Sequence, residues 1–205
     1  DLLKKEFGVY GVQLWYHANG VDESNVHVPY KPKSKGLGNS QVLPRDYVKQ
    51  QEIELVLSEM AEQVAIRLRA IRKKTTTVSI SIGYSRFEES TSFRGQMKIE
   101  PTNQTEELQK YVISLFRKKY NGGAVRSISV FYSSFVDKNI TMLSLFDDPE
   151  EILKKERLQT AIDAIRSQFG FTTLQKANSL TSASRSIARS KLVGGHSAGG
   201  LDGLK

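Results

Sequence analysis

The segment AVRSISVFYSSFVDKNITMLSLFDD, residues 124–148, decides the fold. Its first half alternates as a β-strand does, with Ile128 and Val130 set against Ser127 and Ser129, so one side is apolar and the other small and polar. Strict alternation places Arg126 with Ile128 and Val130, at the rim of the buried side unless a bulge turns it. Phe131 falls on the polar parity and is expected to pack under the chain's tail. The second half is an apolar hook, with Met142, Leu143, Leu145 and Phe146 inside five residues and acids behind them. Such a hook is expected to be buried or bound to something.

Upstream, two further strands are predicted, Thr77 to Tyr84 and Phe93 to Ile99. Val78, Ile80 and Ile82 alternate with Ser79 and Ser81, while Phe93, Met97 and Ile99 alternate with Arg94, Gln96 and Lys98. A strand through GLGNSQVL, residues 36–43, precedes them. It leads past Pro44 and a cap at Asp46 into a long helix ending near Lys74, whose Ile53, Val56, Leu57, Met60, Val64, Leu68 and Ile71 recur at steps of three and four. Basic residues crowd its end, where the helix dipole favours them. A helix from Thr105 to Lys119 buries Leu108, Val112, Leu115 and Phe116, and Gly122 and Gly123 return the chain to the last strand. The order βαββαβ predicts an α+β domain, a four-stranded antiparallel sheet with two helices on one face and a polar, cation-bearing face left open.

Outside this domain, residues 1–28 predict a compact helical piece, with a helix from Gly11 to Asn19 that stops at Gly20. Two short helices joined through FGVYG also fit a helix-hairpin-helix, whose amides near Gly8 and Gly11 can hold a phosphate. The stretch VPYKPKSKG, with three lysines and two prolines in nine residues, predicts a basic extended linker. After the hook, Asp148, Pro149 and Glu151 signal a helix start, and that helix runs to Phe169. Asp147, Asp148, Glu150 and Glu151 could be assembled into a metal cluster, but helix capping accounts for them. Beyond Gly170 the chain turns Ser/Thr-rich and then Gly-rich, and a flexible basic tail with a disordered end is expected.

The 205 residues include no cysteine, which removes disulfides and thiolate chemistry, and the three histidines lack ligand spacing. No apolar run is long enough to span a membrane, so a cytoplasmic protein without a membrane partner is expected. The formal net charge of +8 favours an anionic partner.

Several segments in this order, FGVYGVQLWYHANGVDESNV, KPKSKGLGNSQVLPRDY, VSISIGYS, KIEPTNQTEEL, AVRSISVFYSSF and the hook, resemble the C-terminal part of bacterial Y-family lesion-bypass DNA polymerases of the DinB, UmuC and UvrX-like kind. The resemblance implies that residues 1–28 are the end of a thumb, 29–36 a linker, 37–140 the little finger, 141–148 a clamp-binding peptide and 149–205 a C-terminal helix and tail. It implies duplex or primer-template DNA held through phosphates by Gly8, Gly11, Lys33, Lys35, Ser85, Arg94, Lys98, Arg126, Ser127 and Ser129. It also implies that Met142, Leu143, Ser144, Leu145 and Phe146 dock on the bacterial sliding clamp, with Met142 standing where that peptide usually has glutamine. Family members carry Mg2+-binding carboxylates in a palm. No such constellation occurs in these residues, so no cofactor and no polymerase activity is expected of this chain alone, in a parent enzyme that would be a DNA polymerase serving DNA repair and the SOS response. Two other readings remain, an autonomous noncatalytic adaptor that binds DNA or the clamp, and an RNA-binding sheet, which would carry aromatic residues on its central strands.

Overall fold

The computed structural model describes residues 2–22, 27, 36–89, 92–137 and 148–191. The chain divides into two compact units, Asp1–Lys33 and Ser34–Lys205.

In the first unit, α1 (Leu2–Phe7) meets α2 (Val9–Ala18) through Gly8, whose φ of 59° suits a residue without a Cβ. The second helix thus starts two residues before the predicted Gly11, and it stops at Asn19 and Gly20 as expected. Gly11 is buried against α1, because a Cβ there would stand 1.9 Å from the Leu3 carbonyl oxygen.

The second unit holds the α+β domain in the expected order: β1 (Gly36–Tyr47), α3 (Gln50–Ala70), β2 (Lys73–Tyr84), β3 (Phe93–Thr102), α4 (Thr105–Lys119) and β4 (Val125–Asp137). The strands form one antiparallel sheet in the order β1-β4-β2-β3, so each helical crossover passes over one strand and β4 and β2 lie in the middle. The core lies between the sheet and the two helices. Ile53, Val56, Leu57, Met60, Val64 and Leu68 of α3 and Leu108, Val112 and Phe116 of α4 are fully buried against Val78, Ile82, Ile128, Val130 and Tyr132. Each such side chain contributes about 1.5–3 kcal/mol relative to an exposed one.

Two expectations for α3 need correction. Asp46 does not cap it; β1 continues to Tyr47 and the residue before the helix is Lys49. Nor does α3 reach Lys74, and Ile71 is exposed rather than buried. Arg72 takes a left-handed φ of 54°, which turns the chain at once into β2, where Lys73 and Lys74 pair with Asp137 and Val136. The β-branched run Thr75, Thr76, Thr77 favours strand over helix there.

Downstream, α5 (Pro149–Phe169) begins as expected, with the Asp148 carboxylate accepting from the Glu150 amide at 2.9 Å. The following residues are not a flexible tail as far as Lys191. Two 3-10 turns, Phe171–Thr173 and Ala177–Leu180, and α6 (Ser186–Ser190) are tied to the domain by specific bonds. Tyr47 donates to the Ala183 carbonyl at 2.9 Å, and Glu59 of α3 accepts from the Ser184 hydroxyl and the Arg185 amide at 2.5 and 2.8 Å. Arg166 of α5 pairs with Glu62 at 2.8 Å and donates twice to the Leu174 carbonyl.

Candidate nucleic-acid interface

The sheet face away from the helices is built from small residues. Pairing sets Ser40 beside Ser129 and Ser129 beside Ser81, and it sets Val42 and Gly83 on either side of Ser127. On the far edge, Arg94 lies opposite Ser81, Gln96 opposite Ser79 and Lys98 opposite Thr77. Arg94, Lys98, Ser127 and Ser129 therefore share one open face, as the alternation predicts. The Ser129 hydroxyl donates to that of Ser40 at 2.8 Å, and Ser79 reaches Gln96 at 3.5 Å. A serine-lined face lets an extended polyanion approach the sheet closely and supplies hydroxyl donors for phosphate oxygens.

Arg126 also points outward, because the strand bulges at its position. Ser127 pairs with Gly83 and Val42, but the next partners, Tyr84 and Tyr47, both face Val125, leaving Arg126 unpaired on both sides. The parity of the strand switches there. Val125 turns into the core and Arg126 is exposed. Its guanidinium stands 3.5 Å from Asp46, whose other carboxylate oxygen accepts from the Ser85 hydroxyl at 2.7 Å. Ser85 is thus not on the open face; it is 6% exposed and holds Asp46 in place.

Phe131 does not pack under the described part of the tail, Phe171 to Lys191, which is bonded to Glu59 and Gln63 of α3 on the other side of the sheet. It stands on the open face of the central strand β4, and its ring lies over β1, where a Cβ on Gly36 or Gly38 would come within 2.1 or 2.5 Å of ring carbons. Beside it, Ser79, Ser81, Arg94, Gln96 and Ser129 line a shallow depression. The alternation of β4 already puts Phe131 on the polar side, but nothing in that strand marks Gly36 and Gly38 of β1 as the floor beneath its ring.

The remaining expected contacts lie elsewhere. Gly8 and Gly11 belong to the first unit. Gly8 is the turn between two helices, and Gly11 makes room for α1. Lys33 and Lys35 lie outside the described residues, as does the whole apolar hook, Met142, Leu143, Ser144, Leu145 and Phe146. Among the described residues, no group of three His, Asp or Glu side chains could hold a metal ion, and no helix is long and apolar enough to cross a membrane.

Comparison with known proteins agrees with this architecture. Residues 34–145, more than half of the chain, match the model of the impB/mucB/samB family C-terminal domain. The chain is 40% identical over 197 residues to a putative UV-damage repair protein UvrX of Bacillus subtilis, covering 96% of this chain and 47% of that protein. It is 38% identical to a DNA polymerase IV 2 of the same organism and 34% identical to one of Halalkalibacterium halodurans, with the same coverage in each case. The chain spans about half the length of these relatives. It belongs to the impB/mucB/samB family of Y-family polymerases, and residues 34–145 of its second unit are that family's C-terminal domain.

Proposed function

We propose that this chain holds duplex DNA through its phosphates and docks on the sliding clamp, as the C-terminal part of an error-prone DNA polymerase working past damage. The observation that carries the DNA half is the open face, on which Ser127, Ser129, Arg94 and Lys98 come together from two strands, with Arg126 turned toward solvent by the bulge. Contacts of this kind fix the position of a duplex without reading its bases, which suits an enzyme that must tolerate altered ones. Primer-template DNA is the expected ligand, and the chain by itself would hold it without extending it. The Mg2+ site would belong to the parent polymerase.

Support for this reading comes from three independent directions. The net charge of +8 fits a polyanion, the relatives are named for DNA repair and DNA polymerase IV, and the face is chemically suited to phosphate. Its test is equilibrium binding to duplexes of unrelated sequence. Comparable affinity for all of them, weakening steeply with salt, is the expected result.

The clamp half rests on sequence alone, on Leu143, Leu145 and Phe146 as apolar anchors with Met142 replacing a polar contact. Leu145→Ala with Phe146→Ala is expected to abolish pull-down by the clamp while leaving DNA affinity unchanged. Undiminished pull-down would refute the docking role.

A further inference from the structure

We propose that Phe131 and the depression beside it form a stacking site for one unpaired nucleobase of single-stranded DNA adjoining the duplex, an inference that rests on the DNA-holding reading above.

The ring is an unusual occupant of its surroundings. Phe131 faces Gly38 across one side of β4 and Ser79 across the other, so neither neighbour supplies a side chain large enough to cover it. Gly36 and Gly38 leave a flat backbone floor on which the ring rests, and a Cβ at either would collide with it. The ring is supported from below yet 43% exposed, on a central strand, amid hydroxyls and cations. Leaving so much aromatic surface in water loses burial energy that a flat partner would recover.

The depression next to the ring suggests what that partner is. Ser79, Ser81, Gln96 and Ser129 offer hydroxyl and amide groups at one side of it, and Arg94 adds a guanidinium. Among the described residues, neither the Ser81 hydroxyl nor the Arg94 guanidinium makes a hydrogen bond or ion pair, so both are available to a ligand. A flat ring flanked by uncommitted donors and a cation matches a base with its polar edge and the phosphate attached to it. A base within a duplex is stacked on both faces by its neighbours and cannot use the ring. An unpaired one can, and sequence tolerance follows because every base has a π-face.

The test uses the full chain and fluorescence anisotropy at one fixed salt concentration. Three probes are compared: a blunt duplex, the same duplex with a short oligo-dT overhang, and the same duplex with an abasic overhang of equal length. The abasic overhang keeps the added phosphates and removes the bases. Wild type is expected to bind the dT overhang more tightly than the abasic one, by roughly 5-fold or more for one stacked base. Phe131→Ala and Phe131→Leu should lose that preference, and Phe131→Trp should keep it, with blunt-duplex affinity unchanged in all three. Phe131→Leu preserves an apolar cover over the glycines, which separates stacking from packing. Equal affinity of wild type for the dT and abasic overhangs would overturn the proposal, as would a preference retained by Phe131→Leu or an equal loss by Phe131→Ala on blunt and overhung duplexes. Failure of wild type to bind the blunt duplex while preferring dT would instead leave the stacking site standing and remove the duplex-holding reading. Binding to none of the three would remove both.

Discussion

Among the described residues, Asp46 is the one acid paired with a cation of the open face, 3.5 Å from Arg126 and held by Ser85. A carboxylate there competes with phosphate for the guanidinium. In Asp46→Asn the amide oxygen can still accept from Ser85, so the local geometry survives while the charge is lost. Duplex affinity is expected to rise about two- to threefold at low salt, since a partly exposed ion pair is worth only about 0.2–1 kcal/mol, and the gain should fade as salt increases. Anisotropy titration of variant and wild type measures this, and a loss of affinity would show that Asp46 orients Arg126 for DNA rather than competing with it. Arg126 also marks where residue-level reading stops. Alternation alone sends it to the rim of the buried side. The bulge that turns it outward is shared with β1, whose residues 43–46 bow out between the Val42 and Tyr47 pairings, about 80 positions earlier in the chain. Non-local pairing of that kind leaves no mark in the strand's own pattern. Phe131 was half legible for the same reason: its parity is local, but the glycines beneath it come from the β1 register.

At the scale of elements, helices with local start and stop signals were readable almost to the residue. The helix Thr105–Lys119 has the predicted bounds, and the one after the hook opens on Asp148 and Pro149 and closes at Gly170, whose φ is 92°. The packed segment from Phe171 to Lys191 was not readable, because what holds it is polar. Its partners Glu59, Glu62 and Gln63, met by Ser184, Lys176 and Arg189, lie beside the apolar stripe of α3, where a helical period assigns them to solvent. Burial pushes the Glu59 carboxyl above the usual carboxylate range, against the opposing pull of its bonds from Ser184 and the Arg185 amide. A raised folded-state pKa means that the stabilisation is complete below the unfolded value of about 4.3 and is lost as pH rises through the folded value. Glu59→Gln can keep both bonds, accepting from Arg185 and donating to Ser184, without a buried charge. Its melting temperature is expected to exceed that of wild type by roughly 2–4 °C at pH 7, for about 1 kcal/mol, with the difference shrinking toward pH 4. A destabilised variant at pH 7 would show instead that the charged bonds outweigh burial. Glu54 has the opposite sign: its two bonds from Arg117 hold its carboxyl below the usual range, so the link it makes between α3 and α4 strengthens above the unfolded pKa and weakens in acid.

For the whole molecule, the sheet, its helices and the family were legible together, because the hydrophobic periods and the ordered segments of the resemblance agree on one architecture. The family match over residues 34–145 and the relatives at 34–40% identity support the same assignment. The arrangement of charge across the sheet was legible only in outline. The strand β2 had to pair with both β3 and β4 before Arg94 and Lys98 could share a face with Ser127 and Ser129. Holding DNA by phosphates makes a quantitative demand on that arrangement. Each neutralised phosphate contributes a slope of about −0.9 to the plot of log affinity against log salt concentration. The most direct measurement is therefore that slope for the 205-residue chain on two duplexes of unrelated sequence, beside Arg94→Ala with Lys98→Ala. Phosphate contacts predict a linear fall with the same slope on both duplexes, shallower by about 1.8 in the double variant if each residue neutralises one phosphate. Binding that ignores salt, that strongly prefers one sequence, or whose slope is unchanged in the double variant would contradict it.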